Sequence, residues 1–168
     1  IGLEKDRDLI SNLGTLKECI NPTAILALED SPERHRIRSE IFAKSLTEYI
    51  SPLKVAPQPY KKPKRLCIGY FSSDFHAHPV AYLIAKVLEV HDRSQFEIYG
   101  YSIGPSKDDD MRQRLIQGFD VFLDVQDMND QEVALLARHD KIDIAIDLAG
   151  YTKHHRPGIF AYGAAPIQ

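Results

Sequence analysis

Two short segments of this sequence concentrate side chains that could do chemistry. The first, Ser72-Ser73-Asp74-Phe75-His76-Ala77-His78-Pro79, combines hydroxyls, a carboxylate and two imidazoles. The second, Ala149-Gly150-Tyr151-Thr152-Lys153-His154-His155-Arg156, adds a phenol, a hydroxyl, two more imidazoles and two cations. Four of the seven histidines fall in these segments. An imidazole near a carboxylate can donate to an anion or relay a proton, and Lys153 or Arg156 can face a phosphate. His76-Ala77-His78 also has the His-x-His form of a metal-ligand pair, which His154, His155 and Asp74 can extend with further nitrogen and oxygen donors. Plainer uses stand beside these. Ser73, Asp74 or His78 can cap a helix opened by Pro79, and Lys153 and Arg156 can pair with surface acids.

Some chemistries are disfavoured by what the sequence lacks. There is no G-x-G-x-x-G after the strand that ends near Phe71, which argues against a nicotinamide or flavin dehydrogenase. Neither a G-x-S-x-G elbow nor a phosphate-binding G-x-x-x-x-G-K-[ST] loop occurs. Cys19 and Cys67 are the only cysteines, far apart in the chain, so a disulfide framework and a cysteine zinc site are not expected.

The two segments must be positioned by the elements around them. From Leu66 onward strands and helices alternate, with strands over 66–71, 96–102, 121–125 and 142–148 and helices over 80–91, 109–117 and about 130–139. Asn129 and Glu132 have the spacing of a capping box, and Gly118 suits the end of the preceding helix. Pro157 opens a further short helix, and Pro166-Ile167-Gln168 begins a fifth strand. This rhythm predicts right-handed βαβ units and a doubly wound parallel α/β sheet. Ligands of such sheets bind beyond the carboxyl ends of the strands, where strand order reverses. In the order 3-2-1-4-5 the first and fourth strands are neighbours, so the two polar segments are expected to meet there.

Ahead of the sheet, residues 1–52 form an α-helical annex. Leu9, Ile10, Leu13, Leu16 and Ile20 are spaced as one helix over residues 4–20, stopped by Asn21-Pro22. Ser31 and Pro32 open a second, with Ile37, Ile41, Phe42, Ser45, Leu46 and Tyr49 along one face. Residues 53–65 are a Pro-rich basic linker, whose Lys61-Lys62-Pro63-Lys64-Arg65 run is read as solvated. Residues 66–168 are the α/β lobe.

With 168 residues, 43% hydrophobic and 27% charged, the chain can bury a full core without metals or disulfides. The net charge of −3 gives no global attraction for nucleic acid or an acidic membrane. No apolar run reaches the ~20 residues of a membrane span, and the first residues lack the layout of a signal peptide, so a cytoplasmic protein is expected.

The run Arg65-Leu66-Cys67-Ile68-Gly69-Tyr70-Phe71-Ser72-Ser73-Asp74-Phe75, followed by His78-Pro79, resembles the start of the catalytic region of the O-linked N-acetylglucosamine transferases and their SPINDLY-like relatives. A second block agrees: Asp147-Leu148-Ala149-Gly150-Tyr151-Thr152-Lys153, then Arg156-Pro157, Phe160-Ala161 and Ala165-Pro166-Ile167-Gln168. The resemblance covers about residues 64–168.

It implies a GT-B architecture, of which this chain would be the Rossmann-like first lobe, truncated at its C-terminal end and preceded by part of a tetratricopeptide junction. The implied reaction moves N-acetylglucosamine from a UDP donor to Ser or Thr of acceptor proteins, with inversion and without a metal or other cofactor. His78 and Asp74 match residues near the acceptor and the donor phosphates, and so take the catalytic roles. Ser73, Pro79, Tyr151, Thr152, Lys153 and Arg156 match the motifs of the donor and substrate cleft. His76, His154 and His155 stand where many members have small or amide residues, which keeps a local metal site of His76, His78, His154 and His155 as a lesser alternative. A helical-repeat regulatory protein with an inactive lobe is the other. The partners implied are acceptor proteins, a nucleotide sugar and a second, C-terminal lobe, with no nucleic acid and no membrane. The cleft face and sheet edge left without that lobe are expected to promote self-association.

Overall fold

The computed structural model describes residues 13–15, 19–53, 64–105 and 107–168. It divides into two compact units, Ile1–Ile50 and Ser51–Gln168. Most of the linker expected over 53–65 lies outside the described residues, as does most of the helix expected over 4–20. Where that helix would continue, Leu13–Thr15 form a turn, with Gly14 at φ +70°. A left-handed residue cannot continue a right-handed helix, so no single helix runs unbroken through Leu13–Thr15.

In the first unit, Asn21 accepts from the Thr23 N–H at 2.9 Å and caps a single 3-10 turn, Pro22–Ala24. Helix α1, Pro32–Thr47, starts with Pro32 at its first position, while Ser31 occupies the cap position without a side-chain cap bond. Its expected apolar face is only partly covered, and Leu46 and Tyr49 are 38% and 92% exposed. The fully buried side chain is instead Arg38. Its charge is met by Glu29 at 2.6 Å, and its Nε donates to the Leu13 carbonyl at 2.7 Å. Burial alone would raise the Glu29 carboxyl, but bonds from Arg38 and Arg34 hold it below the usual range.

The second unit is a four-stranded parallel sheet in the order β3-β2-β1-β4. Its elements are β1 (Leu66–Ser72), α2 (Pro79–Val90), β2 (Phe96–Ser102), α3 (Asp110–Gly118), β3 (Val121–Asp124), α4 (Asp130–His139), β4 (Ile144–Asp147) and the short α5 (Gly158–Ala161). Strand β1 lies between β2, in register from Leu66↔Phe96 to Ser72↔Ser102, and β4, from Ile68↔Ile144 to Phe71↔Asp147. Beyond β4, Ile167 bridges Ile144 in parallel, as expected for the start of a fifth strand. Strand β4 is shorter than the 142–148 run because Ile142 is drawn into the core, its N–H bonded to the Ala137 carbonyl at 3.0 Å.

Alternation along the strands gives each face its own core. Ile68, Tyr70 and Ile98 pack under α2 and α3 with Ala81, Ala85, Leu88, Met111 and Leu115. Phe71, Tyr101 and Ala145 pack under α4 and α5 with Val133, Ala137 and Ile159. On that face the Phe71 and Tyr101 rings stack at 4.5 Å, 7° from parallel, and the Tyr101 hydroxyl donates to Asp140 at 2.8 Å. Burying a side chain of this size contributes roughly 1.5 to 3 kcal/mol. Helices on both faces of a parallel sheet make the unit doubly wound. No helix among the described residues is long and apolar enough to cross a membrane.

Candidate active site at the carboxyl edge of the sheet

The loop between β1 and α2 carries Ser73, Asp74, His76 and His78. Pro79 starts α2 at its first position, and His78 is its cap: Nδ1 accepts from the Val80 N–H at 3.4 Å. A neutral imidazole that accepts at Nδ1 carries its proton on Nε2. The Asp74 carboxylate stands 3.6 Å from the same Nδ1, with the His78 side chain 39% exposed and that of Asp74 15% exposed. Nδ1 can therefore serve the Val80 amide while unprotonated or face Asp74 once protonated. Asp74 is held by its backbone, with its N–H donating to Ser72 Oγ at 3.0 Å and its carbonyl accepting from His76 N–H at 2.8 Å.

His76 differs in kind from His78. It is buried, and its Nε2 lies 3.3 Å from Lys107 Nζ. Burial and then the Lys107 ammonium hold its pKa below the usual imidazole value. The ring faces a cation and is a poor place for a second. Its centroid is 5.8 Å from that of His78. The Ser73 hydroxyl is buried with no hydrogen-bond partner among the described residues.

The loop after β4 begins beside the loop after β1, since Leu148 N–H donates to the Phe71 carbonyl at 3.0 Å. Asp147 closes its first turn by accepting from the Ala149 and Gly150 N–H groups at 2.8 and 3.2 Å. Thr152 donates its hydroxyl back to the Ala149 carbonyl at 2.7 Å, and Tyr151 meets His155 edge-on with centroids 6.4 Å apart. The His155 Nδ1 N–H donates to the Thr152 carbonyl at 2.6 Å. Thr152, Lys153 and His154 are exposed, and His154 sits at φ +62°.

The two loops then take different neighbours. The loop after β4 lines an open cavity of about 390 Å³ with Gly104, Gln126, Asp127, His154, His155 and Arg156 among its walls. The loop after β1 is fastened instead to the start of α3. Among the described residues no three His, Cys, Asp or Glu side chains come together as a metal-holding group. The set His76, His78, His154 and His155 is thus divided, one pair on the loop after β1 and the other lining the cavity.

Arg156 is engaged along its whole guanidinium. Nε donates to Asp130 Oδ1 at 2.7 Å, Nη1 to the Val125 carbonyl at 3.3 Å and Nη2 to the Met128 carbonyl at 2.6 Å. Of the two uses open to it from sequence, pairing with an acid is the one this geometry supplies.

Residues 33–168 match the family model for glycosyl transferase family 41. The chain belongs to that family. Within it, the Arabidopsis thaliana protein named "Probable UDP-N-acetylglucosamine–peptide N-acetylglucosaminyltransferase SEC" is 43% identical over 105 residues, which cover 62% of this chain and 11% of that one. A SPINDLY protein of Oryza sativa subsp. japonica, named as a probable transferase of the same kind, is 33% identical over 142 residues, covering 81% of this chain and 15% of its own length. The solved structure of a mutant O-GlcNAc transferase from Thermobaculum terrenum superimposes with a TM-score of 0.77 at 35% identity, covering 88% of this chain and 28% of that one. The chain thus spans less than a third of each of these family 41 proteins.

The two polar segments picked out in the sequence contain the residues above but do not show what holds them. Asp109 accepts the Ala77 N–H at 2.8 Å, and Arg112 donates to the Phe75 carbonyl at 3.2 Å. Acids at the start of α3 are visible in the sequence as partners of a helix dipole. Their second use, on a loop more than thirty residues earlier, leaves no local signal.

Proposed function

We propose that this chain is the first lobe of a two-lobed protein O-glycosyltransferase that moves N-acetylglucosamine, or a related sugar, from a UDP donor to Ser or Thr hydroxyls. The helical unit stands where the family's tetratricopeptide junction would be. The observation that carries this reading is the orientation of His78, set by the Val80 amide on Nδ1 and by Asp74 close to the same atom.

Inversion requires the acceptor hydroxyl to attack the anomeric carbon in line as the nucleotide diphosphate leaves. The enzyme must place the two substrates, stabilise negative charge on the leaving group and give the hydroxyl proton a route out. With Nδ1 occupied by the Val80 N–H, the neutral His78 ring presents Nε2–H as a donor, suited to a diphosphate oxygen or to the acceptor. To take the hydroxyl proton the ring uses its other tautomer, with Nδ1–H turned from the Val80 amide to Asp74 and Nε2 free to accept, and Asp74 stabilises the imidazolium that forms. The same ring can thereby pass between donor and relay without leaving the loop. No step in this scheme calls on a metal.

Because asparagine caps helices as well as other strong cap residues, His78→Asn separates the two roles of the ring. The variant is expected to keep α2 intact while lowering turnover of the two-lobed enzyme by about a hundredfold or more, the usual scale for losing a proton-transfer group. Normal turnover in His78→Asn would remove His78 from the mechanism. The lobe alone is expected to bind the nucleotide sugar weakly, and micromolar affinity in a titration of this chain would contradict the two-lobed reading.

A further inference from the structure

The loop from Ser73 to His78 has no regular secondary structure of its own, so the geometry of Asp74 and His78 depends on what it is tied to. Its root is joined to the loop after β2, through the Ile103 N–H on the Ser72 carbonyl at 3.0 Å. Further along, Arg112 Nη1 donates to the Phe75 carbonyl and to Ser102 Oγ, both at 3.2 Å, while Nη2 pairs with Asp124 at 2.8 Å. The last tie before the cap residue is Ala77 N–H on Asp109 Oδ2 at 2.8 Å. Asp109 is itself the cap of α3, its other oxygen accepting from the Arg112 N–H at 2.9 Å.

One carboxylate thus closes the start of α3 and grips the residue immediately before His78. We propose that Asp109 is a positioning residue for His78, holding the loop so that Nδ1 of the imidazole is presented to the Val80 amide and to Asp74. The proposal rests on the assignment of His78 to the reacting centre. A simple helix cap needs one acceptor; here both oxygens are used, on elements far apart in sequence. The Asp109 carboxyl is held below its ordinary range chiefly by the Ala77 N–H and next by the Arg112 N–H. Neighbouring groups leave the task to this residue: Lys107 is turned to His76, and Arg112 holds the loop at Phe75, two residues further from His78 than Ala77.

An amide at this position has a single acceptor oxygen, so Asp109→Asn can cap α3 or hold Ala77 but cannot do both. Asp109→Ser keeps a good cap on a side chain too short to reach Ala77. In the isotopically labelled 168-residue chain, Asp109→Ser is expected to speed Ala77 amide exchange by about tenfold, the worth of one charge-assisted bond. The His78 ring nitrogen shifts should move away from the Nε2–H pattern in step with it, while those of His139, on α4, stay in place. Faster Ala77 exchange with unmoved His78 ring signals would reduce Asp109 to a cap and overturn the proposal, as would unchanged exchange. Loss of folding in both variants would assign Asp109 to stability and overturn it equally. Turnover of the His78→Asn enzyme tests the functional reading separately, because these ring and amide signals report the positioning whatever the reaction is.

Discussion

Gly104 and Ser73 touch so closely that a methyl group on Gly104 would stand 2.6 Å from the Ser73 Cβ and 2.8 Å from its Cα. Two loops are packed backbone to backbone there, the one after β1 and the one after β2. The contact works because position 104 has no side chain, and the first obstacles include backbone, which cannot rotate away.

Gly104→Ala should therefore displace one loop from the other. Overpacking of this kind costs roughly 1 to 3 kcal/mol. Thermal unfolding should show a lower midpoint, and amide shifts should move over residues 72–78. An unchanged midpoint and unchanged shifts would mean that the contact relaxes freely.

Arg112 carries a different burden. It is buried, lies over the Phe122 ring at 4.9 Å and satisfies two acceptors besides Asp124. Arg112→Met would leave the Phe75 carbonyl and the Ser102 hydroxyl without their donor, at a cost of about 2 to 4 kcal/mol. Asp124→Asn should cost less, because the amide oxygen can still accept from Nη2 and the 38% exposed end of the pair is screened by water. Denaturant midpoints of the two variants give the comparison, and equal losses would contradict it.

For Arg156 the informative change is to lysine. A single ammonium keeps the charge but cannot span Asp130 and the carbonyls of Val125 and Met128 at once. Arg156→Lys should lose about 2 kcal/mol in urea unfolding, with the dependence on urea unaltered. Full retention of stability would show that charge alone is needed there.

Acid should weaken the fold before its carboxylates titrate. His91 is held below the ordinary imidazole value of 6.5 by burial and then by Arg93, and its Nε2 shares a hydrogen bond of 2.8 Å with the Tyr70 hydroxyl. His76 is lowered by burial and then by Lys107. As pH falls below 6.5 the unfolded chain takes up these protons first, so stability is flat above that value and declines beneath it. His91→Gln keeps an acceptor for Tyr70 but cannot titrate. Urea unfolding between about pH 8 and pH 5 should give that variant a shallower slope, and an identical slope would exclude His91 as a source.

The α/β unit was legible because its signals are local. The short apolar run from Leu66 to Phe71, the Asn129–Glu132 capping box and Pro79 after His78 each act within a few residues, and handedness then orders the sheet. The same local logic misled at Leu13–Thr15, where a glycine turn interrupts an apolar spacing that a helix would have used. It was silent on Arg38, whose burial depends on Glu29 nine residues earlier and on a backbone carbonyl further back. The candidate site shows the same division. Asp74, His78 and Arg156 stand out in the sequence by residue type, while the backbone carbonyls and amides that hold them have no residue type to betray them.

The triple hold of Arg156 has an implication for how this lobe can vary. Because one side chain from the loop after β4 closes on two carbonyls of the loop after β3 and on the first residue of α4, the chain between Val125 and Asp130 must keep its length and path for that grip to survive. An insertion there would be paid for at the cavity wall, across the strand boundary. The segment is constrained like part of the site even at positions whose side chains touch nothing in it.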